Sequence, residues 1–277
     1  MPQQSPTPSE APGLFTGDAS SMSSYYDRVL VPGMFAPWAQ DLVARLPLRA
    51  DDHVLDVCCG TGALAEALVT RLTDGGVLGT DLAPAMLAVA ERKDIPRAMF
   101  RVGDAVAQPV EDGEFDGVTC QQGLQFVPDR AGAVSEMRRV LRPGGWLAVA
   151  CWTAIGDQVA MGAFSTALIN RGWAAAAAAI AVPFSLGDAA ELGALAAASG
   201  FIDIRVETVT RDIVLPPPGE FADGYAQVPP FAAPYQAATQ QERDAFVADV
   251  VEVLAPYTDG TLTTSPMTSH ILFATAG

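Results

Sequence analysis

The sequence predicts an α/β fold with a doubly wound, mostly parallel seven-stranded sheet and a small helical cap. Two observations carry this prediction. Short apolar segments alternate with helical segments, and this alternation produces βαβ crossovers and a parallel sheet that helices cover on both faces. The first predicted strand also runs directly into a glycine turn that begins a helix, which is typical of nucleotide-binding sheets.

Each predicted element follows from its hydrophobic pattern. The first five strands are short apolar runs bounded by turn residues, and the sixth alternates β-branched with charged residues. The strands are predicted at 53–58, 76–80, 99–102, 117–121, 146–152, 202–215 and 268–274. The helices are predicted at 63–72, 84–92, 130–141, 160–181, 189–198 and 240–254.

Composition divides the chain into a tail, an arm, a core and two insertions. Residues 1–20 are rich in Pro, Ser and Gln, so we expect them to be disordered, whereas apolar residues at helical spacing predict a helical arm over 21–50. The core of the fold is assigned to 51–153, 185–215 and 267–277. The remaining segments, 154–184 and 216–266, exceed what a minimal sheet needs and are predicted to form a cap.

The composition also restricts the class of partner. A net charge of −16 and a pI near 4.3 repel phosphate backbones, so we expect no nucleic-acid partner. The sequence lacks a signal-peptide pattern and a long apolar run, which predicts a soluble cytoplasmic protein that does not act at a membrane. The four cysteines are interpreted as free, packed thiols, and no metal site is predicted because Cys and His lack ligand spacing.

The strongest motif is VLDVCCGTG at 54–62, in which Gly60 and Gly62 permit a tight turn and close approach of a ligand. Asp81 ends the second strand about twenty residues later, where a carboxylate would accept hydrogen bonds from ribose hydroxyls. These features fit either a dinucleotide or an S-adenosylmethionine site. Alternatively, Asp81 only caps the helix that begins near Pro84.

Further motifs distinguish these possibilities. The motifs are DVCCGTG, the acidic end of the second strand, Gly103-Asp104-Ala105, FDGVTCQQGLQFVPD at 115–129 and RRVLRPGGWLAV at 138–149. In this order they resemble class I S-adenosylmethionine-dependent methyltransferases, in particular the ubiquinone/menaquinone-biosynthesis-like branch, whose fold is Rossmann-like. The absence of a Tyr-x-x-x-Lys element disfavours an NAD-dependent oxidoreductase, and the lack of an Asn/Asp-Pro-Pro-aromatic element disfavours a nucleic-acid methylase.

The resemblance implies a cofactor site for S-adenosylmethionine and its product, S-adenosylhomocysteine. Asp81 would bind the ribose, Leu82 and Met86 would pack on the adenine, and Asp104 would accept from its exocyclic amine. The complete set of implied cofactor residues is Tyr26, Asp56, Gly60, Thr61, Gly62, Asp81, Leu82, Met86, Asp104, Ala105 and Gln121.

No general base is identified. Gln125 stands where many small-molecule relatives have His, so it is a weak candidate for catalysis and a candidate for substrate binding, with a solvated turn residue as the alternative. Both His53 and His270 are interpreted as structural. Orienting a nucleophile toward the methyl group can supply most of the rate enhancement without a base.

We therefore expect methyl transfer to an O, N or C nucleophile of a small, largely apolar or aromatic metabolite, by a monomer or homodimer. Aromatic residues of the two insertions would line the substrate pocket, with Tyr225 and Phe231 as candidate contacts. Two alternatives stay open: these aromatics form only a satellite core, or the chain is a cofactor-binding protein or a cyclase that uses the methyltransferase fold.

Overall fold

The computed structural model describes residues 23–24, 26–228 and 231–277, so the predicted tail 1–20 lies outside the described residues. The described part of the chain contains one seven-stranded sheet. Its strands are β1 (His53–Val57), β2 (Gly76–Asp81), β3 (Ala98–Val102), β4 (Phe115–Gln121), β5 (Leu141–Trp152), β6 (Phe201–Leu215) and β7 (Thr263–Ala276).

The strand order is β3-β2-β1-β4-β5-β7-β6. Strands β1 to β5 are parallel, and β7 runs antiparallel between β5 and β6. The predicted fold class is confirmed. Because the chain reverses its direction of winding between β1 and β4, the crevice at the carboxyl ends of these two strands is the expected ligand site.

Ten α-helices lie in the described residues, and a π-helical segment, Tyr26–Phe35, precedes the first. The first five helices are α1 (Ala36–Arg45), α2 (Ala63–Val69), α3 (Pro84–Arg92), α4 (Arg130–Val140) and α5 (Val159–Asn170). The others are α6 (Ala174–Ala181), α7 (Ala189–Ala198), α8 (Pro218–Ala226), α9 (Ala232–Ala237) and α10 (Gln240–Leu254).

Two hydrophobic cores cover the two faces of the sheet. One core is formed by α4 and α7 against the sheet, with Met137 and Leu192 almost fully buried. The other joins α1 and α2 to the segments predicted as the cap, so that Trp38 of the arm and Phe164 of α5 belong to the same buried cluster. The N-terminal helical arm is therefore part of this second hydrophobic core.

Several element boundaries differ from the predictions. The helix predicted over 160–181 is broken into α5 and α6, because Gly172 takes a positive φ of 69° and ends the first helix. Strand β7 begins at Thr263 rather than near 268, since its first part pairs with the end of β6 through small polar residues that give no apolar pattern. Strand β1 ends at Val57, one residue before the predicted end.

Within the described ranges, no single helix is long and apolar enough to cross a bilayer, although one bent pair, Ala174–Phe184 with Ala189–Ala198, meets the length and composition together.

Candidate cofactor and substrate site

The glycine turn lies at the carboxyl end of β1, at the switch point of the sheet. Gly60 and Gly62 have φ values of 55° and 83°, in the left-handed region that favours glycine. A Cβ placed on Gly60 would meet nothing within 4 Å, so the space over the turn is open to a ligand. Helix α2 begins directly after Gly62 and presents its free backbone N–H groups toward this space.

Asp81 connects this turn to the end of β2. Its Oδ2 accepts a hydrogen bond from the Gly60 backbone N–H at 2.9 Å, and its Oδ1 accepts from Ala83 N–H at 2.8 Å. Burial raises the pKa of Asp81, while these backbone hydrogen bonds lower it. Within the described residues, the helix that begins at Pro84 has no side-chain cap, so the capping alternative is wrong, and the carboxylate holds the glycine turn in place.

Asp56 lies beneath the turn on β1 and is 1% exposed. Thr119 Oγ1 donates a hydrogen bond to its Oδ1 at 2.9 Å, across from β4. Burial raises the pKa of Asp56 to about 7, against the opposing effect of the Thr119 hydrogen bond. Its second oxygen is buried and, within the described residues, has no hydrogen-bond partner.

The residues predicted for the adenine form the far side of the crevice, beside β2 and β3. Leu82 is 64% exposed although it is apolar, whereas Met86 and Ala105 are buried. Asp104 Oδ1 accepts from the Val106 backbone N–H at 3.2 Å, which orients the carboxylate within its own turn. An exposed leucine next to Asp81 is an apolar surface that a flat base would cover.

The arm closes over the opposite side of the crevice. Gln121, the last residue of β4, donates from Nε2 to the backbone carbonyl of Phe35 at 3.0 Å. The Tyr26 and Phe35 rings pack with their centroids 5.0 Å apart. Burial, followed by the charges of Asp81 and Asp27 and by Tyr225, raises the pKa of the Tyr26 hydroxyl. The arm, β2 and α8 therefore converge at Tyr26.

Several buried polar atoms around the crevice lack a hydrogen-bond partner within the described residues. These atoms include Thr61 Oγ1, Gln121 Oε1 and Asp56 Oδ2. Buried polar groups normally have partners, so this grouping indicates a polar ligand. The residues fit S-adenosylmethionine: the Asp81 carboxylate suits a ribose diol, Leu82 suits an adenine ring, and Gln121 with Thr61 suits the amino-acid portion.

Gln125 is buried on the short turn that follows β4, and only 3% of it is exposed. Its Nε2 donates to Gln122 Oε1 at 3.2 Å, and Gln122 Nε2 donates to Ser269 Oγ at 3.0 Å. The solvated-turn alternative for Gln125 is therefore wrong. Gln122 and Ser269 had not been predicted as site residues.

Neither histidine contributes an available base. His53 lies at the amino end of β1 and is exposed, 3.9 Å from Asp116. His270 is buried on β7, where Thr208 Oγ1 lies 2.9 Å from Nδ1 and the Gly187 carbonyl lies 3.2 Å from Nε2. A carbonyl only accepts, so Nε2 carries the proton and Nδ1 accepts from Thr208.

The four cysteines are free thiols, and three of them are fully buried. Cys58 follows β1 with a φ of 57°, where an L-side chain is strained. Its hydrogen bond with Cys120 and its burial raise its pKa well above the ordinary value. A thiol that stays protonated is a poor nucleophile, so we assign Cys58 to packing. In the described residues no group of three or more Cys, His, Asp or Glu side chains is arranged to hold a metal.

The aromatic residues of the two insertions form one cluster around Phe164 of α5. The Phe164 ring lies 5.0 Å from Tyr225, 5.4 Å from Phe231 and 5.2 Å from Phe246, measured between centroids. Phe231 is 2% exposed, so it has little surface to offer a substrate. Tyr225 is half-buried and approaches Tyr26, so it keeps a place at the crevice.

A second aromatic group, which had not been predicted as part of the site, lies nearer to the sheet. Trp152 ends β5 and packs edge-on against Trp38 with centroids 5.4 Å apart, and Phe35 lies 6.2 Å from Trp152. The position of Trp152 at the carboxyl end of a parallel strand was the available signal. The register of β5 against β7 also places Trp152 opposite Ser269.

This geometry defines a nucleotide-type site at the switch point of a class I methyltransferase fold. Residues 55–149 match the protein family described as "Methyltransferase domain". This match agrees with the predicted resemblance to class I S-adenosylmethionine-dependent methyltransferases.

Curated proteins of known name are similar to this chain in sequence. The chain is 37% identical to a demethylmenaquinone methyltransferase of Lactiplantibacillus plantarum over 53% of this chain and 63% of that protein. It is 39% identical to a 2-phytyl-1,4-naphtoquinone methyltransferase of Thermosynechococcus vestitus over 45% of this chain and 58% of the relative. The chain therefore matches about three fifths of the length of these relatives.

Solved structures share the fold at lower identity. The structure of Haemonchus contortus phosphoethanolamine N-methyltransferase 2, bound to phosphomonomethylethanolamine and S-adenosylhomocysteine, matches with a TM-score of 0.60 and 21% identity, covering 94% of this chain and 58% of that one. The 4+2 cyclase SpnF matches with a TM-score of 0.50 and 22% identity, covering 87% of this chain and 80% of that one. These similarities establish the fold alone.

Proposed function

We propose that the protein transfers the methyl group of S-adenosylmethionine to a small, hydroxylated aromatic metabolite of the quinol type. The observation that carries the proposal is the Asp81 carboxylate, hydrogen-bonded to the Gly60 turn at the switch point, within a segment that matches the methyltransferase family. The names of the curated relatives, which act on demethylmenaquinone or a phytyl naphthoquinone, support the substrate class.

The residues around the crevice suit such a substrate. Phe35 offers half-buried aromatic surface at this end of the sheet, and it packs against Trp152, which is buried and in turn packs against the buried Trp38. The arginines of the insertions are engaged away from it, with Arg171 paired to Asp249 and Arg243 donating to the Ala238 carbonyl. A flat apolar ring is therefore favoured over a phosphorylated or acidic metabolite.

The cofactor supplies an activated methyl group: its bond to sulfur breaks as the bond to the acceptor forms, with the electron pair left on sulfur and a proton lost from the acceptor to solvent. Asp81 and the glycine turn fix the position of the nucleoside. Gln121 would hold the arm against the end of β4 through the Phe35 carbonyl, and Tyr26 packs on the Phe35 ring within the arm. The chain thus contributes orientation and exclusion of water, which can supply a large share of the rate enhancement.

Calorimetry with S-adenosylmethionine, S-adenosylhomocysteine and NAD tests the first part of the proposal. We expect binding of the first two ligands and none of comparable strength for NAD. Incubation with methyl-labelled cofactor and reduced 1,4-naphthoquinones, followed by mass spectrometry of the products, tests the second part. Cofactor binding without any transfer, to these acceptors or to metabolite extracts, would favour the cyclase or binding-protein alternative.

We further propose that the enzyme acts in the cytoplasm as a monomer or homodimer, on a small molecule and without nucleic acid. Light scattering at low and high protein concentration tests the oligomeric state.

A further inference from the structure

A chain of buried amides runs from β7 to the turn that follows β4, at the end of the sheet where the crevice lies. It begins at Ser269, which is fully buried, continues through Gln122 and ends at Gln125. The amides are 5% and 3% exposed, respectively. The Gln125 Oε1 atom at the end of this chain is buried and has no hydrogen-bond partner within the described residues.

The direction of the chain follows from the Ser269 hydroxyl. This hydroxyl has a single proton, and its oxygen lies 2.8 Å from the backbone carbonyl of Cys151, which only accepts. The His270 carbonyl, 3.2 Å away, is likewise only an acceptor. The proton therefore points to a carbonyl in either case, and the hydroxyl oxygen has to accept from Gln122. Accordingly, Gln122 presents its NH₂ group to Ser269 and its carbonyl oxygen to Gln125.

The same reasoning fixes the last amide. Gln125 must present its NH₂ group to the Gln122 oxygen, so its own oxygen faces away from the chain. Reversing the Gln125 amide would place two carbonyl oxygens against each other. The site therefore ends in a hydrogen-bond acceptor whose orientation is set on a distant strand, and a buried acceptor without a partner is costly.

We infer that Ser269 and Gln122 are positioning residues that lock Gln125 as an acceptor, so that the site selects a substrate that donates a hydrogen bond from a ring hydroxyl. This inference rests on the proposed function. A phenolic hydroxyl satisfies the Gln125 oxygen, whereas a quinone carbonyl or a methyl ether places a second acceptor against it. An amide oxygen does not take the proton, so Gln125 orients the hydroxyl and draws electron density toward the ring.

The test measures binding to the complex of the protein with S-adenosylhomocysteine. The probes are 1,4-dihydroxynaphthalene, kept reduced under anaerobic conditions, 1,4-naphthoquinone and 1,4-dimethoxynaphthalene. Full-length wild-type protein should bind the dihydroxy compound at least about tenfold more tightly than either of the others, because only this probe satisfies the buried acceptor.

Variants separate positioning from packing. Ser269→Ala and Gln122→Met remove the direction of the chain, and we expect the preference for the dihydroxy compound to fall to within about threefold, with S-adenosylhomocysteine affinity unchanged. Gln125→Met, which removes the acceptor itself, should abolish the preference as well. The matched control is Gln158→Met: Gln158 is equally buried and bonded to Thr153 and Thr268 on the same strand edge, but it lies outside the chain and should leave the preference intact.

The outcomes are distinguishable. If S-adenosylhomocysteine does not bind, or no naphthalene probe binds, the proposed function fails and the inference with it. If the probes bind but wild-type protein shows no preference, or the preference survives both Ser269→Ala and Gln122→Met, the proposed function stands and the inference is wrong. A variant that fails to fold is replaced by the other, because each breaks a different bond of the chain.

Discussion

Replacing Asp81 with alanine should weaken cofactor binding by about two orders of magnitude. In the proposed complex the carboxylate accepts from two ribose hydroxyls, and a hydrogen bond to a charged group contributes about 1.5–3 kcal/mol. The pKa of Asp81 is raised by burial, so part of this energy offsets desolvation and the lower end of the range applies. Two such bonds amount to roughly 3 kcal/mol, or about 100-fold in the dissociation constant.

Titration calorimetry with S-adenosylhomocysteine measures this effect, and Asp188→Ala is the matched control. Asp188 accepts from Ala190 N–H at 2.8 Å, with the same two-residue spacing as Asp81 and Ala83, but at the start of α7. Asp188 is the N-cap of α7, so Asp188→Ala should lose about 1 kcal/mol of stability and shows whether such a local loss alone affects binding. Only the Asp81 variant should lose cofactor affinity. A folded Asp81→Ala protein with an unchanged dissociation constant would refute the ribose assignment.

Three further predictions concern the pH response, the arm and the cap. The pKa of Asp56 is raised to about 7, so in the empty protein its protonated form contributes stability that is fully present below the pKa of the unfolded chain and is lost as pH rises toward 7. The positive groups of the cofactor favour ionised Asp56. Cofactor affinity should therefore rise between about pH 6 and 8, and Asp56→Asn should flatten this calorimetric profile. Tyr26→Phe should weaken S-adenosylhomocysteine binding severalfold while deletion of residues 1–20 leaves it unchanged, and equal affinities for both proteins would contradict the lid role of the arm. Phe231→Ala should lower the free energy of unfolding, measured in urea, by about 3–5 kcal/mol because the Phe231 ring is enclosed. Tyr225→Ala should mainly raise the substrate KM, and the opposite pattern would place Phe231 in the pocket.

The cofactor half of the site was predictable because it depends on short-range chain geometry. Gly60 and Gly62 are needed where φ is positive, and Asp81 ends the strand adjacent to β1. These requirements follow from the order of strand, turn and helix along the chain. The observed hydrogen bond between Asp81 and Gly60, 21 residues apart, arises from this local order.

The buried amide chain of the proposed substrate site was not predictable in the same way. Gln122 and Ser269 are 147 residues apart and meet only because β7 inserts antiparallel beside β5 with the register that pairs Trp152 with Ser269. A single-residue slip would turn Ser269 to the other face of the sheet. A serine inside a predicted strand carries no signal of its own. The direction of the amide chain likewise depends on the Cys151 carbonyl, which no sequence pattern marks.

The packing of the arm and cap makes the proposed substrate pocket part of the hydrophobic core. One buried cluster contains Trp38 of the arm, Trp152 of the sheet and Phe164 of the cap. The wall of the proposed substrate pocket is therefore also part of the hydrophobic core. In a close-packed core, a change in the volume of one ring displaces its neighbours. Helix α2, which begins at the glycine turn, packs Leu64 and Ala65 into the same cluster, and Gln121 joins the end of β4 to the arm through the Phe35 carbonyl. A change in one ring of this cluster should therefore alter the proposed substrate pocket and the stability of the protein together.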